Sequence, residues 1–223
     1  MHLPRRNCST LLVALVILLF LQPFAERGPF GRIFLSILAT LVLLAGMWAV
    51  SDSRRNILWG AALALPHFVL QWISVFSPEA PESLLLVPSL YAPPFYMFLG
   101  YVMMRYLFQA GPITRDRLHA ALCFYLLMGI FWAHCYVILE HVHPGSFRFS
   151  EDALQAGTGP FTEFMYFSYV TLTTLGYGDV APVSLHARSW AILEAVGGVL
   201  FVGALVARIA GALGTTPAPG EED

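Results

Sequence analysis

Residues 170–179 read Val-Thr-Leu-Thr-Thr-Leu-Gly-Tyr-Gly-Asp, and the chemistry they suit is the removal of water from a cation. An ion gives up its hydration shell only where replacement oxygens stand at fixed spacing. The backbone carbonyls of Thr174, Leu175, Gly176 and Tyr177, with the Thr174 hydroxyl, can supply them. Carbonyls that all face one axis need residues that alternate between ordinary and left-handed dihedrals, and glycine takes the latter without strain. Gly176 and Gly178 fall in that alternation. One strand supplies one column of oxygens, so a ring around an ion needs several strands. A Gly-rich turn between two helices is the plainer alternative.

The run from Thr174 to Gly178 resembles the Thr-Val-Gly-Tyr-Gly selectivity filter of tetrameric potassium channels, with Leu175 where valine is usual. The resemblance implies a homotetramer around a central axis. It also implies potassium as the permeant ion in the filter, with no cofactor and no other metal. A second Gly-Tyr-Gly is absent from the sequence, so the chain is not an internally repeated two-pore protein. In the family, an aromatic cuff holds the filter open, and Tyr166 and Phe167 stand at its place; a hydrogen bond from Tyr166 to Asp179 is expected. Some pore-only bacterial relatives carry a carboxylate behind the filter, where this chain has Val170. Gly198, with Gly197 beside it, matches the family's gating hinge, although close helix packing explains the pair equally well. The lumen-facing positions match Val199, Val202 and Val206.

The elements that must hold this filter follow from the apolar pattern. Residues 161–172 form a helix of roughly 18 Å, too short to cross hydrocarbon, so it must enter the membrane and turn back. Pro160 suits its first turn, with Thr158 or Gly159 as the cap. Its carbonyl end faces the filter and favours a cation there. Apolar runs at 10–24, 33–50, 57–76, 84–108, 118–139 and 188–208 predict an all-α membrane protein with six transmembrane helices. The re-entrant helix and filter lie between the fifth and sixth. Three parts are expected: a four-helix membrane region over 1–108, a pore domain over 118–210 and a disordered tail over 211–223. The motif-specific part of the resemblance spans about 118–210; before that it is architectural.

The first run also has the features of a secretory signal, but Pro23-Phe24-Ala25 is a poor cleavage site, and retention as a helix is expected. Pro66 is expected to kink the third helix. Pro88, Pro93 and Pro94 predict that the fourth run starts irregular and becomes a regular helix near Phe95. That fourth helix holds only Arg105, at its end, whereas a voltage sensor needs a row of charges; any voltage dependence should be shallow.

All twelve basic residues are arginines. With cytoplasmic termini, Arg5, Arg6, Arg54, Arg55, Arg105, Arg115, Arg117 and Arg208 lie inside, against Arg27, Arg32, Arg148 and Arg188 outside. This obeys the positive-inside bias and places the chain in the cell membrane, multi-pass, with its filter loop entering from outside.

Apolar residues make up 57% and charged residues 12%, which fits a polytopic membrane protein. A net charge of −2, dispersed along the chain, argues against nucleic-acid binding. Cys8, Cys123 and Cys135 are expected as free thiols. Glu140, His141 and His143 have the types for a divalent ion or for sensing external pH, and solvated loop residues are the plainer reading. The sequence lacks a nucleotide loop, a nucleophile triad pattern and a dense set of metal ligands, so an enzyme is not expected.

Glu194 is the one carboxylate well inside the last run. Five residues before Val199, it lies about 140° around the helix from that residue and points away from a lumen. A buried hydrogen bond to the pore helix, with Ser168 or Thr171 as partner, is expected; snorkelling toward the outer surface or a lumenal charge are the alternatives. The function expected is passive potassium conduction. A weakly selective cation channel of the same fold and a non-conducting membrane subunit are the competing readings.

Overall fold

The computed structural model describes residues 8–25, 29–49, 54–77, 82–109, 111, 113–151 and 159–214. The element order is α1 (Cys8–Ala25), α2 (Pro29–Ala49), α3 (Arg54–Phe76), α4 (Glu82–Leu107), α5 (Arg115–Val142), β1 (Phe147–Phe149), α6 (Pro160–Leu172), β2 (Val180–Pro182) and α7 (Leu185–Gly214).

Helices α1 to α5 close a ring in which each packs on the next and α5 returns to α1. Their shared core includes Leu11, Val42, Phe95, Leu99, Met103 and Leu127, all at or below 1% exposure. On its other side α5 carries α6 and α7, over an aromatic cluster of Tyr136, Phe147, Phe164 and Phe167. Helix α5 is therefore the wall shared by the N-terminal ring and by α6 and α7. It begins where the Thr114 side chain accepts the Arg117 backbone N–H at 3.3 Å, with Asp116 in the first turn, an arrangement that satisfies an otherwise orphaned donor.

Among the described residues, α3, α5 and α7 are long and apolar enough to cross a membrane by length and composition, and Cys8–Gln22 and Ile33–Trp48 are shorter apolar stretches. None of the three cysteines is in a disulfide, and Cys8 and Cys123 are buried.

Four sequence expectations need correction. Helix α4 runs unbroken from Glu82 through Pro88, Pro93 and Pro94 and does not begin near Phe95. Prolines strip donors from a helix without necessarily breaking it inside a packed membrane protein; α3 is tied to this helix, with His67 Nδ1 3.0 Å from the Pro88 carbonyl. Helix α5 continues to Val142, so Glu140 and His141 are helical and not part of a loop. The segment after it forms a two-stranded antiparallel ladder, with Arg148 opposite Ala181. Helix α7 extends to Gly214, past the expected start of the tail at 211; the tail from 215 onward, the N-terminal arginines, and Thr158 lie outside the described residues.

Candidate functional site

Helix α6 starts at Gly159, which caps without a side chain, followed by Pro160, and it is 13 residues long. At its far end Thr173 N–H and Oγ–H both reach the Tyr169 carbonyl, at 3.0 and 2.6 Å. The chain then leaves the helix in a distinctive backbone pattern. Thr174, Gly176 and Gly178 have φ of 61°, 59° and 82°, so every second residue is left-handed. The Val170 carbonyl anchors the start of this strand by accepting Leu175 N–H at 2.9 Å and Gly176 N–H at 3.4 Å. The sequence reading assigned the left-handed positions to the two glycines alone. Thr174 is a third, and the every-other-residue spacing was the signal for it. A β-branched residue there is strained. Leu175 and Tyr177 are exposed, at 56% and 67%.

Behind the strand, the side chains expected to support it are in contact. Tyr166 donates its hydroxyl to Asp179 Oδ2 at 2.7 Å. Asp179 is held in turn: its Oδ1 accepts Val180 N–H at 3.0 Å and its carbonyl accepts Ser150 N–H at 2.7 Å. Phe167 is buried against Tyr136 and Phe147. The β1–β2 ladder therefore fastens the exit of the strand to the segment that follows α5.

Two tyrosines join α5 to α6 in opposite directions. Tyr125 of α5 donates to the Leu172 carbonyl at 3.0 Å, and Tyr169 of α6 donates to the Leu126 carbonyl at 2.5 Å. The Leu172 carbonyl belongs to the last turn of α6, where carbonyls lack helical partners, so the first bond fills a vacancy left by the helix end. The close approach of the two helices rests on Gly129: a Cβ there would lie 2.5 Å from the Tyr169 ring.

Glu194 is fully buried, on the face of α7 that meets α5 and α6. Tyr136 donates to its Oε2 at 2.5 Å, and the Ser168 hydroxyl contacts its Oε1. Ser168 Oγ also lies 2.9 Å from the Gly129 carbonyl. Three helices converge on one carboxyl group. Ser168 is one of the two partners expected from the sequence, while Tyr136 and Gly129 were not foreseen. Tyr136 carried a signal all the same, because a tyrosine inside an apolar span must find an acceptor for its hydroxyl. Neither the snorkelling position nor the lumenal one describes Glu194. Val199, Val202 and Val206 are exposed, at 55%, 45% and 59%, as are Leu193 and Leu200 elsewhere on the helix.

The two glycines of α7 differ. A Cβ on Gly198 would meet Leu172 Cδ2 at 2.8 Å and the Leu172 carbonyl oxygen at 3.2 Å, whereas Gly197 faces open space. Gly198 is thus where α7 touches the end of α6. Gly198→Ala is expected to lower the thermal stability of the purified protein by about 1–3 kcal/mol per chain through overpacking, with Gly197→Ala near neutral. Equal or reversed effects in a melting experiment would remove the close-packing role.

The histidines and glutamate after the fifth run are not one cluster. Glu140 Oε1 and Oε2 accept the backbone N–H of Gly145 and Phe147 at 2.8 and 3.1 Å. His143 stacks on His186, a residue the sequence reading had not considered. Among the described residues there is no group of three or more His, Cys, Asp or Glu side chains placed to hold a metal.

Residues 120–214 match a family model described as "Ion channel". No curated protein matches the chain. The matched segment runs from the first turns of α5 to the end of α7, and so contains the whole of the site described above. The matched segment is thus similar to an ion-channel domain, and its α5 and α7 are apolar and long enough to cross a membrane.

Proposed function

We propose, from the ion-channel domain at 120–214, that four copies of this chain form a potassium-selective channel conducting passively across the cell membrane. The observation that carries the reading is the left-handed φ at Thr174, Gly176 and Gly178, immediately after a 13-residue helix. Such an alternation turns successive carbonyls to the same side. Four such strands around an axis would coordinate a dehydrated ion through the carbonyls of Thr174, Leu175, Gly176 and Tyr177 and the Thr174 hydroxyl. Helix α6 is the re-entrant element, since 13 residues rise only about 20 Å. Its carbonyl end favours a cation at the filter entrance. Helix α7 lines the lumen with Val199, Val202 and Val206, and α1 to α5 with α7 are the six spans, with both termini cytoplasmic.

Flux from proteoliposomes tests this directly. Vesicles loaded with potassium should release it under a gradient, while sodium-loaded vesicles release far less. Equal release of both ions would favour a weakly selective channel, and no release from correctly assembled protein would favour a non-conducting subunit.

A further inference from the structure

His143 and His186 lie 43 positions apart in sequence, yet their rings stack with centroids 4.8 Å apart and planes 5° apart. Both side chains are exposed. From this juxtaposition we infer a binding site for a nitrogen-preferring divalent transition metal, bridging the end of α5 and the start of α7.

Spacing is the first argument. Two imidazoles that share one tetrahedral ion, at metal–nitrogen distances of about 2.0–2.1 Å, hold their ring centres roughly 5 Å apart. The observed separation is already that of a shared ligand pair. A neutral imidazole offers one lone-pair nitrogen. In the parallel stack the two rings lie face to face, so sharing an ion requires the exposed side chains to rotate until one nitrogen of each faces it.

Rigidity of the supports is the second. His143 caps α5, its N–H bonded to the Leu139 carbonyl at 2.8 Å and its own carbonyl accepting the Ser146 hydroxyl at 2.7 Å. His186 sits in the first turn of α7, where Ser184 Oγ accepts Ala187 N–H at 3.1 Å. The two supports are tied to each other: the Ser146 carbonyl accepts both Val183 N–H and Ser184 N–H, at 2.8 and 3.2 Å. A site held this way loses little freedom when it takes an ion.

Ligand type sets the class of ion. The nearby carboxylate of Glu140 is committed to two backbone donors, which leaves two nitrogens, with water filling the remaining positions. That set suits Cu²⁺, Ni²⁺ and Zn²⁺ and is poor for the oxygen-seeking Mg²⁺ and Ca²⁺.

The test is calorimetric titration of the purified full chain, free of any oligohistidine tag, with Zn²⁺, Ni²⁺ and Mg²⁺. The expected result is one Zn²⁺ or Ni²⁺ per chain and no Mg²⁺ binding. His143→Ala and His186→Ala should each weaken Zn²⁺ binding at least tenfold, and His141→Ala should leave it unchanged. Wild-type affinity in both single variants, or an equal loss in His141→Ala, would overturn the site. Electron paramagnetic resonance of the wild-type chain with one equivalent of Cu²⁺ gives a reading that needs no variant. Hyperfine coupling to two imidazole nitrogens is expected, and coupling to fewer would overturn the pairing. Both measurements are made on protein at rest, so their outcome is separate from whether the chain conducts.

Discussion

Gly178→Ala is expected to abolish potassium-selective flux while leaving the chain folded and assembled. The two halves of that expectation have different causes. A Cβ at this position meets no atom of its own chain within 4 Å, so the substitution creates no clash within the chain. The backbone, however, sits at φ 82°, where a side chain costs about 1–2 kcal/mol. In the proposed tetramer that cost falls on four strands around one axis, and the carbonyls on either side of residue 178 relax away from the ion. The comparison to make is potassium and sodium flux from proteoliposomes against the size-exclusion profile of the same preparation. Unchanged selective flux from an intact assembly would rule out a carbonyl ring as the coordinating structure.

Glu194→Ala should be the most damaging single change outside the filter, and Glu194→Gln should be mild. Truncation to alanine leaves the Tyr136 hydroxyl without its partner in a buried site, while the Ser168 hydroxyl keeps the Gly129 carbonyl. A buried group so abandoned costs about 1–3 kcal/mol, and the cavity adds to it. Glutamine keeps the shape and both kinds of bond. It can accept from Tyr136 through its carbonyl and donate to Ser168 through its amide, which frees the single Ser168 hydroxyl proton for the Gly129 carbonyl 2.9 Å away. The readouts are thermal stability in detergent, single-channel conductance and internal cation block. Alanine should lose stability and disturb conduction, and glutamine should retain both. If internal block disappears in Glu194→Gln while stability is unchanged in both variants, the carboxylate acts as a lumenal charge and the buried role is wrong.

What could be read from the sequence divides along a physical line. The strand at 174–178 was legible because its task falls on the backbone, and backbone demands appear as glycine at fixed spacing. The short helix before it was legible from length and from Pro160. Burial of Glu194 was legible from helical geometry, since 100° per residue turns it about 140° from Val199. The unread features join segments far apart in the chain. Tyr136 and Glu194 are 58 residues apart, and the β1–β2 pairing links strands on either side of α6. Each partner alone is an ordinary residue in an ordinary context. The course of α4 was misread for the same reason. A run with Pro88, Pro93 and Pro94 looks broken in isolation, whereas in the fold it is packed between α3 and α5, whose residues lie elsewhere in the chain.

The closed ring of α1 to α5 also sets a schedule for biosynthesis. Cys8 N–H bonds to Asp116 Oδ1 and the Cys8 carbonyl accepts the Cys123 thiol, so the partners of α1 emerge 108 and 115 residues after it. At translation rates of about 5–20 residues per second, that is a delay of roughly 5–20 s. Helix α2 follows α1 at once and packs along it, so the two can wait as a hairpin with one face unfilled. Gln22 of α1 waits longer still, because its partner Thr162 is 140 residues away on α6. Helix α1 is thus made well before it can reach its final contacts, and a chain stalled before α5 presents the quality-control machinery with an open ring.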